Sequence, residues 1–207
     1  EKYFQRGRIL YKKAKFQKAR RFFLTAAGLN YQPSACHLYL GIMQLLEMDI
    51  SEAFKTFQRV LASSESPGEV YYFVGKVFKA FDNPQEWKSN LKKAILSSRG
   101  EITRLLALEE LEGQTDEKEW ETLKTRAFSS YLIRTDIPHD EELLKKGIVA
   151  RLEEDFEKAI EAFDEMISFY PDSFQGYVEL AKTYLKMKKI HLAYNTLKRI
   201  QGHFKKR

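Results

Sequence analysis

Small, apolar and aromatic positions recur along this chain at a step of thirty-four residues. Gly7, Gly41 and Gly75 keep that step twice. Twelve residues after each stand Ala19, Ala53 and Trp87; sixteen after, Phe23, Phe57 and Leu91; nineteen after, Ala26, Val60 and Ala94. Pro33 and Pro67 are also thirty-four apart. Gly147 and Ala181 restart the pattern, followed at the same offsets by Ala159 and Ala193, Phe163 and Leu197, Met166 and Ile200. Several columns agreeing in type at one period mark a stack of supersecondary units. Polar turn segments divide each unit: Asp49-Ile50-Ser51, Asp82-Asn83-Pro84 and Glu154-Asp155. The pattern predicts an all-α chain of helix-turn-helix units.

The stretch 102–139 fits the period poorly and is four residues longer. It keeps helical apolar spacing at Ile102, Leu105, Leu106, Leu108 and Leu111, then at Trp120, Leu123, Ala127, Phe128 and Tyr131. Gly113-Gln114-Thr115 is the expected break, with Thr115 or Asp116 capping the next helix. Read as a divergent repeat with a lengthened connection, it brings the prediction to six helical hairpins, about twelve helices.

Each column has a packing reason. A small residue on the first helix lets the second approach closely, the alanine column supplies a flat spot, and the residue sixteen on fills the space beside it. Proline is expected to stop the second helix, since it cannot continue the hydrogen-bond ladder. Trp87 stands in the alanine column, so the third hairpin is expected to be looser or splayed.

With those residues in view the chain resembles the tetratricopeptide repeat (TPR), a thirty-four-residue helix-turn-helix unit. The match is best at Tyr177, Leu180, Ala181, Tyr184, Ala193 and Leu197, and the repeat before it supplies Gly147, Ala159, Phe163 and Pro171. The division expected is three regular repeats over 1–101, the divergent repeat over 102–139, and two regular repeats with a short basic tail over 140–207. The resemblance implies a right-handed superhelical solenoid of antiparallel helix pairs. It also implies that the first helices line a concave groove for peptides or helices of other proteins.

On that register, residues three before, one after and four after the small column face the groove. These are Phe4, Arg8 and Tyr11, then Leu38, Ile42 and Leu45, then Tyr72, Lys76 and Lys79. The late hairpins give Leu144, Ile148 and Arg151, then Val178, Lys182 and Leu185. An apolar, aromatic surface edged by cations suits a partner segment with Leu or Phe anchors beside Asp or Glu. The grip that some TPR proteins apply to a C-terminal carboxylate would fall on Phe4, Arg8, Tyr39, Glu69 and Phe73. Only Arg8 among them is cationic, so that mode is not expected.

Charge adds a second candidate. The net charge is +6, yet residues 1–30 hold nine Lys/Arg against Glu1 alone, and residues 105–155 hold fourteen acids against seven bases. Lys12, Lys13, Lys15, Lys18, Arg20 and Arg21, near Tyr3, Phe4 and Tyr11, prompt an alternative reading as a nucleic-acid-binding helical repeat. Against it, the groove columns hold Phe, Leu, Tyr, Leu and Val rather than a repeated polar pair.

Composition changes little else. The chain has 207 residues, of which 43% are hydrophobic and 31% charged, as in a folded domain. From Phe22 to Leu46 it carries no charge, but Pro33 and scattered polar residues make this two buried helices meeting at a turn, not a membrane span. The single cysteine, Cys36, excludes an internal disulfide framework and leans towards a reducing, cytoplasmic compartment. His37, His139, His191 and His203 show no metal-ligand spacing, and no phosphate-binding glycine loop is present. The acids around Glu109–Glu121 and Glu153–Asp155 read as solvated helix faces. No catalytic residue, metal or cofactor is therefore assigned, and the expected role is a non-enzymatic interaction scaffold. Opening without methionine, the chain is read as processed or excised from a longer array. An apolar end face at Leu185, Leu192 and Ile200 would take further repeats or another chain.

Overall fold

The computed structural model describes residues 1–63, 68–129 and 137–205, without the side chains of 201–205. Pro67 and Tyr131 lie outside the described residues, as do the side chains of the Gly202–Arg207 tail. The described residues form twelve α-helices. The first six are α1 (Lys2–Lys12), α2 (Phe16–Gly28), α3 (Pro33–Leu46), α4 (Ile50–Ser63), α5 (Gly68–Ala80) and α6 (Pro84–Ser97). The others are α7 (Glu101–Leu111), α8 (Glu117–Phe128), α9 (His139–Leu152), α10 (Phe156–Phe169), α11 (Phe174–Lys186) and α12 (Ile190–Lys205). The fold is a helical repeat built from helix pairs, and its described residues divide into two compact units, those within 1–8 and 16–133 and those within 9–15 and 134–207.

Within the regular hairpins the two helices are joined by the same turn. Ala14, Met48, Asp82, Glu154 and Lys188 all adopt left-handed backbone, with φ between 52° and 64°. The first three are thirty-four apart, and so are the last two. Each closes a Schellman cap. In α3, Asp49 N–H donates to Gln44 O at 2.9 Å and Met48 N–H to Leu45 O at 3.1 Å; Lys189 to Tyr184 O at 2.8 Å and Lys188 to Leu185 O at 2.9 Å repeat the pair after α11. The helix that follows is capped at its start. Asn83, Asp116 and Asp155 each accept a hydrogen bond from the backbone N–H three residues on. Asp116, not Thr115, is thus the cap of α8, and Gly113 turns the chain before it at φ 66°. Pro33 does not stop α2. It sits in the first turn of α3, where a missing N–H costs nothing, while Asn30 and Gln32 in left-handed backbone divide the uncharged stretch.

Hairpin interiors follow the columns where a glycine stands in the small column, whereas Leu197 of the last hairpin is 42% exposed. A Cβ on Gly41 would lie 2.5 Å from Cε1 of Phe57, and one on Gly7 would lie 2.8 Å from Cε1 of Phe23; Gly147 meets Phe163 in the same way. The residue sixteen on therefore lies directly over the glycine. Ala19, Ala53 and Ala159 are completely buried beside it. The expectation of a splayed third hairpin is corrected. Leu91 closes on Gly75, its side chain 3.1 Å from where a Cβ would be, and Leu91, Ala94 and Ile95 are completely buried. Trp87 stays half-buried because α6 places those residues on the inner face instead.

In the first unit, α2 through α8 pack each on the next, and α5 also touches the first helices on either side, α3 and α7. Aromatic rings fill the joins: Phe23 stacks on Tyr39 at 4.6 Å and Phe57 on Phe73 at 5.9 Å. Arg104 is buried at 1% exposure, donating to Ser98 O at 3.1 Å and Ala127 O at 3.3 Å, and also to Ser129 O. It satisfies carbonyls left over at the C-terminal ends of α6 and α8. In the second unit, α9 through α12 pack in order, with α9 also touching α11.

Candidate functional site

The expected groove residues divide sharply once the helices are packed. Phe4 is 6% exposed and meets the rings of Phe23, Tyr31 and Tyr39 at about 6 Å. Ile42 and Tyr72 are buried too, and Arg151 is fully buried. As surfaces for a partner these four are corrected: they are wall and floor, closed by the neighbouring helix pair. Arg8, Tyr11, Leu38, Leu45 and Lys76 are half-buried, and Lys79 and Lys182 are exposed. Tyr11 lies against Phe174 at 5.8 Å between ring centroids. Leu144 and Ile148 are buried, Val178 half-buried and Leu185 exposed.

The cations are already engaged by carboxylates of this chain. Glu110 of α7 accepts three hydrogen bonds from α5. Lys76 Nζ reaches its Oε1 at 2.6 Å, Tyr72 Oη the same oxygen at 3.0 Å, and Lys79 Nζ its Oε2 at 3.2 Å. Lys79 Nζ also sits 4.5 Å from the centroid of the Trp87 ring, and Lys76 Nζ 5.9 Å from that of Tyr72. Burial by itself raises the Glu110 carboxyl. The ammonium of Lys76, then that of Lys79, outweighs it and leaves the group below its ordinary value.

A second cluster stands in the other unit. Arg151 of α9 donates through Nη2 to Glu179 Oε2 at 2.6 Å, and through Nη1 to Glu179 O at 2.9 Å and Thr183 Oγ1 at 3.2 Å. Lys182 reaches Glu179 Oε1 at 2.7 Å. Arg151 has no exposed side-chain surface and Glu179 only 5%, whereas Lys182 keeps 46%. Burial raises the Glu179 carboxyl, and Lys182 and Arg151 together bring it below its ordinary value.

Neither Glu110 nor Glu179 was singled out from the sequence, where the acids around Glu109–Glu121 read as solvated. The signal was present for one of them, since Glu110 stands thirty-four residues after Lys76, in the same column. Other acids there have structural roles: Asp116 and Asp155 cap helices, and Glu119 pairs with Lys92 at 2.6 Å. The positions compared with a carboxylate grip are likewise structural. Tyr39 and Phe73 stack on Phe23 and Phe57, and Glu69 accepts from Ser98 Oγ at 2.8 Å and Gly100 N–H at 3.0 Å.

The basic cluster of the first hairpin is partly neutralised in the same manner. Lys12 pairs with Asp140 and Lys13 with Asp172 within the second unit, and Arg20 pairs with Glu47 in the first. Cys36 is fully buried, its thiol donating to Tyr31 O at 3.4 Å, and burial pushes that thiol up. Among the described residues no group of His, Cys, Asp and Glu is placed to hold a metal ion. None of the described helices is long and apolar enough to cross a membrane.

Residues 143–173, spanning α9, α10 and the turn after them, match the family model for the tetratricopeptide repeat. None of the curated proteins matches the chain. Among solved structures, one of MamA is similar over 80% of this chain and 95% of that one, at 18% identity and a TM-score of 0.35. A second MamA structure is similar over 81% and 89%, at 17% identity and a TM-score of 0.37. A tetratricopeptide repeat protein from Parabacteroides merdae ATCC 43184 is similar over 97% and 78%, at 12% identity and a TM-score of 0.43. The matched repeat, residues 143–173, is set among helix pairs of the same construction.

Proposed function

We propose that this chain is a non-enzymatic scaffold that binds a segment of another protein along the first helices of its repeats, α3, α5 and α7 in the first unit. The observation that carries the reading is the composition of that row. Leu38 and Leu45 stay half-buried on α3, and Lys76 and Lys79 stay partly exposed on α5. An amphipathic segment with Leu or Phe anchors and acidic residues between them matches this surface in both respects. Arg8 and Lys182 extend the same chemistry within their own units. The apolar residues exposed on α11 and α12, Leu185, Tyr194 and Leu197, offer a second place for a further repeat or a second chain.

The test is selection from displayed short peptides that carry Leu or Phe at helical spacing with Asp or Glu between. The selected peptides are expected to bind the chain and to lose binding to Leu38→Asp and Leu45→Asp, both with unchanged helical circular dichroism. Equal binding to these variants would place the interaction elsewhere. Reversing Lys76 and Lys79 is a poorer first test, because it also breaks the tie to Glu110.

A further inference from the structure

We propose that Lys76 and Lys79, with the buried Tyr72 hydroxyl as floor behind them, form a receiving site for a partner's carboxylate, and that Glu110 fills it in the free chain as an internal stand-in which the partner's acid displaces. This rests on the proposed binding of an acidic amphipathic segment along α3, α5 and α7, and adds what sets its strength.

Three donors converge on one carboxylate, and two of them carry full charges. The cluster thus keeps a net positive charge with Glu110 in place, which draws an anion towards it. The approach is open: 35% of the Lys76 side chain and 50% of the Lys79 side chain remain exposed, against 16% for Glu110. The ammonium groups have a second hold that does not depend on Glu110, since Lys79 lies over Trp87 and Lys76 over Tyr72. Rings of this kind keep a cation in place by the charge of their π faces. When Glu110 swings out, the donors stay where an incoming carboxylate can replace it. The exchange swaps one set of charge-assisted hydrogen bonds for another, so it proceeds at little net cost and favours acids over neutral side chains. A segment with apolar anchors alone leaves Glu110 in place.

Such competition lowers the affinity of the free chain, and the experiment reads it directly. Acidic peptides from the selection above are titrated by fluorescence anisotropy against wild type and Glu110→Gln, with thermal unfolding of both. Glu110→Gln is expected to bind about tenfold more tightly while its melting midpoint falls, because the competitor and the internal tie are the same group. Lys76→Met should weaken binding more in the Glu110→Gln background than in wild type, a coupling that a double-mutant cycle isolates. A lower midpoint with unchanged affinity makes Glu110 a structural tie only and overturns the proposal. If Glu110→Gln fails to fold, Glu110→Asp serves: its shorter reach keeps the charge, and tighter binding than wild type is again expected. Peptides that bind both proteins but ignore Leu38→Asp would overturn the groove reading itself, and this inference with it.

Discussion

The two units join their helix pairs with the same chemistry in different surroundings. In the second unit a glutamate on α11 takes the guanidinium of Arg151 on α9, and the pair has almost no contact with water. In the first, a glutamate on α7 takes two ammonium groups of α5, and both lysines remain partly in solvent. Removing one member of a dry pair takes a buried counter-charge from the other, so the pair belongs to the fold. A half-open one can exchange its partner. The difference teaches that a cation in a groove-facing column is not yet a binding residue; what decides is whether water, and hence a ligand, can reach it. By contrast the hairpin interiors of the two units are alike, with the same glycine-to-phenylalanine closure and the same left-handed turn.

The contrast breaks first at the buried pair. Glu179→Ala is expected to destabilise the chain by about 3–5 kcal/mol, since it removes the buried carboxylate that the fully buried Arg151 guanidinium faces. Urea unfolding measures this, and a loss below about 1 kcal/mol would put the pair in the class of exposed ones. The likeness of the interiors is tested next. Gly41→Ala and Gly147→Ala should each cost about 1–3 kcal/mol by overpacking, and to a similar degree in both units. Gly75→Ala should cost less, because its neighbour is the more adaptable Leu91. Phe57→Leu should recover part of the loss in Gly41→Ala.

Relieving the turns works in the opposite direction. Met48→Gly and Lys188→Gly should each raise stability by about 0.5–1 kcal/mol, as glycine adopts left-handed backbone without the Cβ clash, at some cost in unfolded-chain entropy. Similar shifts in melting midpoint would confirm one turn in both units. The smallest effect belongs to the open cluster. Glu110→Gln should cost no more than about 1 kcal/mol, less at high salt. Its pH dependence has a definite sign. A carboxyl held below its ordinary value stabilises the fold above the unfolded value, about pH 4.3 for glutamate, and loses that contribution as pH falls through the folded value. The gap between wild type and Glu110→Gln should therefore be full at neutral pH and close in acid, as followed by unfolding from about pH 7 to pH 3.

The sequence by itself determined the period, the paired helices and the partners inside each hairpin. Gly41 and Phe57, or Gly147 and Phe163, are sixteen residues apart across one short turn, so their meeting follows once the two helices and the turn are read. The break at Gly113 was legible for the same reason, with the cap left between Thr115 and Asp116. The consequence of Trp87 was not, because α6 shifts its buried face to Asn90, Leu91, Ala94 and Ile95 and leaves the ring at the edge. Nor were the states of the cations. Lys76, Lys79 and Arg151 have the spacing of groove residues, yet what each does depends on a carboxylate supplied by another helix, Glu110 or Glu179, and on how much water remains between them. Periodicity records which face of its own helix a residue occupies. Only packing decides what stands opposite, and in this chain that separates a charge locked into the fold from one within reach of a partner.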